Sequence, residues 1–117
     1  MATGRYDFCL GQGTDATVPF RLKDATGKAI DLSGYRVRMQ LRTHISDPEA
    51  VDTLTSENGR ITIDPLAGKF ELTFPNQTTD NYPAQCLVYD IEIVSPGDKV
   101  TRIVAGKITV TAGVTRV

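Results

Sequence analysis

Histidine, cysteine and clustered carboxylates are the usual carriers of site chemistry, and this sequence holds few of them in useful spacing. His44 is the single histidine. No cysteine or second histidine lies near it in the chain, so a histidine-based metal site or catalytic triad lacks its other parts. A solvated loop histidine is the expectation. Asp15, Asp24, Asp47, Asp64, Asp80 and Asp98 fall mostly in turn-like stretches, where the carboxylate caps nearby backbone N–H groups. None stands in the Asp-x-Asp-x-Asp spacing of a calcium loop. No glycine-rich loop leads from a strand into a helix to cradle a phosphate. The residues point away from an enzyme, and no metal, cofactor or catalytic residue is expected.

One charge constellation stands out. Arg36, Arg38 and Arg42 share a parity in one alternating stretch. One reading makes them contacts to phosphate or nucleic acid. Another pairs them across strands with Asp90 and Glu92, if the two stretches lie side by side. Facing opposite charges contribute roughly 0.2–1 kcal/mol each. Pairing is the expectation, because Tyr35 and Tyr89 have core parity and leave no aromatic among the arginines. A third reading makes the arginine face a contact with another protein, a setting where arginine is enriched.

The elements that must position these groups read as strands. Cys86 to Val94 alternates, with Leu87, Tyr89, Ile91 and Ile93 on one face. A turn at Ser95 to Asp98 leads into Lys99 to Val110, and the pair reads as a hairpin. Gly106 breaks the alternation of the second arm and suggests a bulge. Further strands are expected at Arg5 to Leu10, Thr17 to Lys23, Tyr35 to Arg42, Ile61 to Asp64 and Lys69 to Phe74, with a weak edge strand at Val51 to Thr55. Pro19 suggests an edge or a bulge. Asn58-Gly59 is a strong local hairpin signal. Ile30 and Leu32 are expected to plug one end of the core, and Pro75 to Asn81 to cross the sandwich with one helical turn. Strands at this spacing, without helical periodicity, predict an all-β fold: an Ig-like two-sheet antiparallel β-sandwich of seven to eight strands.

At 117 residues the chain suits a single β-sandwich domain, residues 1–117, with 1–4 and 112–117 as extended arms. Apolar residues at 40% and charged residues at 23% are ordinary for a globular chain. A net charge of −1 gives no overall attraction to nucleic acid or to an anionic membrane. Neither a membrane-length apolar run nor a signal-peptide core is present, so the chain is expected to start at Met1 and to be made in a cytoplasm. Cys9 and Cys86 have outward parity on different strands, and free thiols are expected.

The stretch Phe20 to Arg42, containing Ala29-Ile30-Asp31-Leu32-Ser33-Gly34 and the arginine-rich strand, resembles a family of small tailed-bacteriophage and prophage virion proteins. Leu54 to Ile63, with its Asn-Gly-Arg-Ile hairpin, is similar to that family, as are Tyr89 to Asp98 and Val100 to Arg116. The first half also resembles the N-terminal domain of baseplate upper proteins, an Ig-like module that anchors receptor-binding proteins. The resemblance implies a non-enzymatic structural component of the virion, assembled in the bacterial host cytoplasm. Its partners would be other phage structural proteins of the tail, baseplate or capsid, in a symmetric multi-copy assembly or homo-oligomer. A tail or baseplate adaptor is the first expectation, a capsid decoration (cement) protein the alternative. A carbohydrate-binding module for host surfaces is a further alternative, for which Tyr82 is the aromatic to test.

Three regions are expected to form the interface, because termini and long loops can order on a partner. They are the N-terminal arm with Ala2, Arg5 and Asp7, the polar loop with His44, Ile45, Asp47 and Val51, and the tail with Val114, Arg116 and Val117. The hairpin is expected to define the fold without being the surface that docks.

Overall fold

The alternation is realised, in a computed structural model that describes residues 3–115, as nine strands and one helical turn. In chain order these are β1 (Gly4–Arg5), β2 (Phe8–Gly11), β3 (Ala16–Arg21), β4 (Arg36–Arg42), β5 (Asp52–Thr55), β6 (Ile61–Asp64) and β7 (Lys69–Phe74), then α1 (Asn76–Thr79), β8 (Cys86–Val94) and β9 (Val100–Thr111). One sheet runs β1-β9-β8-β4-β5, with β2 also on β9; the other runs β3-β7-β6. This is the expected Ig-like sandwich. Its core is the inward parity of both sheets: Val37, Met39 and Leu41, Phe70, Leu72 and Phe74, and Leu87, Tyr89, Ile91 and Ile93 are all buried. Each fully buried aliphatic or aromatic side chain contributes roughly 1.5–3 kcal/mol. Leu32 closes one end of the core as expected, with Ile30 half-buried beside it.

Three features depart from the sequence reading. The first strand is broken into β1 and β2, which makes eight strands if the halves count as one. Both halves pair with β9 in parallel, so the sandwich is not antiparallel throughout. The break belongs to Gly106. A Cβ there would lie 2.0 Å from the Tyr6 carbonyl oxygen, so only glycine admits the N-terminal segment this closely.

The bulge on β9 sits three residues earlier than Gly106. Ile91 pairs with Val104 and Glu92 with Arg102, leaving Ile103 as the extra residue. The kink turns both Ile103 and Val104 into the core.

Asn58-Gly59 does not join a hairpin. β5 pairs with β4 and β6 with β7, so the turn carries the chain from one sheet to the other. Its conformation is set locally: Gly59 has φ 80°, and the Asn58 Oδ1 accepts from the Thr55 and Arg60 amides. A turn signal reports local backbone shape, and that shape serves a corner as well as a hairpin.

The edge strands β3 and β5 lie where the sequence reading put them, and both are protected. Leu22 donates to the Gly68 carbonyl at 2.7 Å, which sets the phase of the β3–β7 ladder and turns the missing N–H of Pro19 toward the open side. On β5 the outward groups are occupied by side chains. The Thr53 amide donates to Asp52 Oδ1 at 2.8 Å, Asn58 Nδ2 donates to the Thr53 carbonyl at 3.1 Å, and the Thr55 amide donates to Asn58 Oδ1 at 3.0 Å. An edge satisfied in this way offers little to another strand.

Candidate docking interface

Two of the predicted interface residues, Arg5 and Ile45, meet on the outer face of the large sheet. Register arranges its side chains in rows across β4, β8 and β9. Arg38, Glu92 and Arg102 form one row, Gln40, Asp90 and Ala105 the next, and Arg42, Val88 and Lys107 the third. Arg5 stands beside Ala105 on β1.

Most charges on this face are neutralised within it. Arg38 meets Glu92 at 2.8 Å, the cross-strand pair the sequence predicts. The other two predicted pairings differ. Asp90 binds Arg102 on β9 at 3.2 Å, and Arg36 reaches Asp98 in the β8–β9 turn at 2.8 Å. Asp90 and Glu92 lie on β8 between β4 and β9, where Arg102 of β9 competes for them with the arginines of β4. These pairs are exposed, so each contributes at most ~1 kcal/mol and mainly fixes register. Among the described residues Arg42 binds neutral groups alone, donating to the Asp47 carbonyl at 3.0 Å and to Gln40 Oε1 at 2.7 Å. Lys107 has no ion-pair partner among the described residues.

A shallow trough of about 540 Å³ runs across these rows. Val88 and Ala105 lie on its floor and Arg42 and Lys107 flank Val88, while Arg5 and Ile45 line it together with the acids Asp90 and Glu92 and their neighbours. The structure thus brings the N-terminal arm and the polar loop together on one concave surface. Ile45 is 86% exposed there.

The remaining predicted residues have other places. Asp7 is tied down: its Oδ1 accepts the Lys107 amide at 2.8 Å, and Arg5 pairs with it at 3.3 Å. Asp47 closes its own loop by accepting the His44 amide at 3.1 Å, and the His44 ring stays in solvent. Val51 is partly buried against the core, and its amide donates to the Leu41 carbonyl at 2.6 Å. Val114 is 97% exposed but does not line the trough. Ala2, Arg116 and Val117 lie outside the described residues. Sequence reasoning missed Val88, Ala105 and Lys107, although Val88 shares the outward parity of Asp90 and Glu92. It also set the hairpin apart from the docking surface, and the hairpin's outer face is the trough floor.

A second polar group is structural. Arg60 Nη2 meets Asp52 Oδ2 at 2.9 Å, its Nε donates to the Thr73 carbonyl at 3.0 Å, and the Tyr82 hydroxyl donates to Asp52. Asp52 belongs to one sheet and Thr73 to the other, so Arg60 clamps the layers together. Burial alone lowers the Arg60 pKa, but the Asp52 hydrogen bond and charge outweigh it and hold the guanidinium above its ordinary value. Burial first, and the Asp52 carboxylate second, push the Tyr82 phenol above its ordinary 10.0. Tyr82 is 3% exposed and presents no ring to a sugar.

Cys9 and Cys86 are both exposed and unbridged, and both pair with Thr109. Two strand spacings separate their Cα atoms by roughly 10 Å, beyond the reach of a disulfide.

No protein-family model matches this chain, and no curated protein matches it.

Proposed function

We propose that this chain is a docking protein without catalytic turnover, a structural component of a tailed-bacteriophage virion that seats on a larger assembly as a tail or baseplate adaptor or accessory protein. The observation that carries the docking reading is the convergence of Arg5 and Ile45, from two distant segments, on one trough with Val88 and Ala105 on its floor. An exposed aliphatic beside arginines suits a protein contact, where arginine is enriched and large apolar side chains supply area. The virion setting is supported by the family-like segments Phe20 to Arg42, Leu54 to Ile63, Tyr89 to Asp98 and Val100 to Arg116.

Cryo-electron microscopy of the assembled particle, with this chain located in the density, tests the reading. Density at the tail or baseplate supports the adaptor role. Density at local symmetry axes of the capsid replaces it with the cement role. A purified particle that lacks the chain overturns both.

A further inference from the structure

We propose that the Arg42–Val88–Lys107 row is an acceptor site for an acidic segment of a partner protein, in which a carboxylate side chain stands next to an apolar one. The proposal rests on reading this face as a docking surface, and it does not depend on the virion setting.

Register places the three residues side by side on β4, β8 and β9. Arg42 and Lys107 are two strand spacings apart, roughly 10 Å between Cα atoms. Their long side chains can therefore reach the same group above Val88. The other cations of the face already have carboxylates: Arg36 has Asp98, Arg38 has Glu92, Arg102 has Asp90 and Arg5 has Asp7. Arg42 is held in place by two neutral acceptors, which orient the guanidinium while leaving its charge uncompensated. The nearby Asp47 carboxylate is turned to His44. Two cations with no carboxylate partner among the described residues flank one small apolar residue and form a local anion site, with Ile45 on the same trough.

The neighbouring rows decide the class of anion. Asp90 and Glu92 stand next to the site on the same strand. A nucleic-acid backbone carries a charge about every 3.4 Å along a strand, so further phosphates would meet these carboxylates. A single carboxylate beside an apolar side chain avoids that conflict and uses Val88, Ala105 and Ile45. The net charge of −1 likewise gives no long-range draw for a polyanion.

The test is an amide-resolved NMR titration of the whole protein with a capped peptide that holds one glutamate next to a leucine among neutral residues. Matched probes are the glutamine version of the peptide and an oligothymidylate. The expected result is shifts at Arg42, Ile45, Val88 and Lys107, with β3, β7 and β6 unaffected, and little response to the glutamine peptide. Lys107→Glu and Arg42→Gln should each weaken binding by about 10-fold. Both positions are on the outer face, so an otherwise unchanged spectrum certifies the fold, and Lys107→Gln is the gentler second variant. Binding that neither substitution alters overturns the proposal. Tighter binding of the oligothymidylate at the same residues makes this a phosphate site and overturns it as well. Concentration-dependent broadening at these residues without peptide, abolished by Lys107→Glu, would assign the site to a second copy instead. A chain absent from the particle refutes the virion reading and leaves the peptide result standing. A particle-bound chain that ignores the peptide refutes this site alone.

Discussion

Tyr89 and Gly106 face each other across β8 and β9, and the Tyr89 hydroxyl donates to the Tyr6 carbonyl that occupies the space above the glycine. One missing side chain thereby admits the N-terminal segment, and one phenol holds it. Gly106→Ala is expected to destabilise the fold by about 2–4 kcal/mol, because the Cβ meets backbone that cannot rotate away. Tyr89→Phe should cost less, about 1–2 kcal/mol, for an acceptor left without its donor. Denaturant unfolding measures both. A Gly106→Ala variant as stable as the parent would mean that the segment does not pack over β9.

Burial holds both the Tyr82 and the Tyr89 phenols above their ordinary 10.0, with Asp52 and Asp7 respectively adding to the shift. The folded chain keeps these protons more tightly than the unfolded chain does. Their contribution to stability is therefore complete below pH 10 and is lost as the pH rises past it. Unfolding followed from neutral to strongly alkaline pH should show a steep loss above 10. Tyr82→Phe and Tyr89→Phe should each make that loss shallower, and an unchanged slope in both would contradict the assignment.

Asp52 serves Arg60 and Tyr82 at once. Asp52→Ala is expected to cost about 2–4 kcal/mol, since it strands a half-buried guanidinium and a phenol. A double-mutant cycle of Asp52→Ala with Tyr82→Phe should give a coupling of about 1 kcal/mol or more. Additive effects would mean that the two groups do not share the carboxylate.

Asn58 occupies the outward carbonyl of Thr53 and the outward amide of Thr55. Asn58→Ala should lose about 1–2 kcal/mol and leave β5 open for strand addition. Light scattering during storage at high concentration is the readout, with growth of oligomers expected in the variant and not in the parent.

Cys9 and Cys86 flank Thr109 without reaching each other. Both thiols should react with a thiol reagent in the folded protein, and mild oxidation should give disulfide-linked dimers before any internal bridge. An internal Cys9–Cys86 disulfide at native stability would contradict the register of β2, β9 and β8.

Much of this architecture is written in local alternation. The parity of β4, β7 and β8 names the core residues, and Asp24 and Asp47 cap local amides as expected, while Asp64 lies in β6, Asp15 binds Asn76 and Asp98 binds Arg36. The Thr26 hydroxyl and the Lys28 amide both donate to Asp24 and hold its carboxyl below the ordinary 3.8. What stayed hidden depends on register between distant strands. Local sequence cannot say that β1 and β2 join β9 in parallel, because alternation looks alike in either direction. Asn58-Gly59 announces a turn without saying whether its flanking strands share a sheet. The partners of Asp90 and Arg36, and the row that puts Lys107 beside Val88, follow only once the bulge at Ile103 has set the β8–β9 register. Tyr82 lies outside any strand, so parity could not foretell its burial.

The parallel seam between the first and last strands also has a consequence in time. Gly4 pairs with Val104, a residue made one hundred positions later. At synthesis rates of about 5–20 residues per second, the N-terminal segment leaves the ribosome roughly 5–20 s before its mate exists. During that interval Tyr6, Phe8 and Leu10 have no sheet to join. The sandwich can close only after β9 emerges, so its folding waits on the synthesis of β9, and a nascent chain stalled before Val104 should remain a target for chaperones.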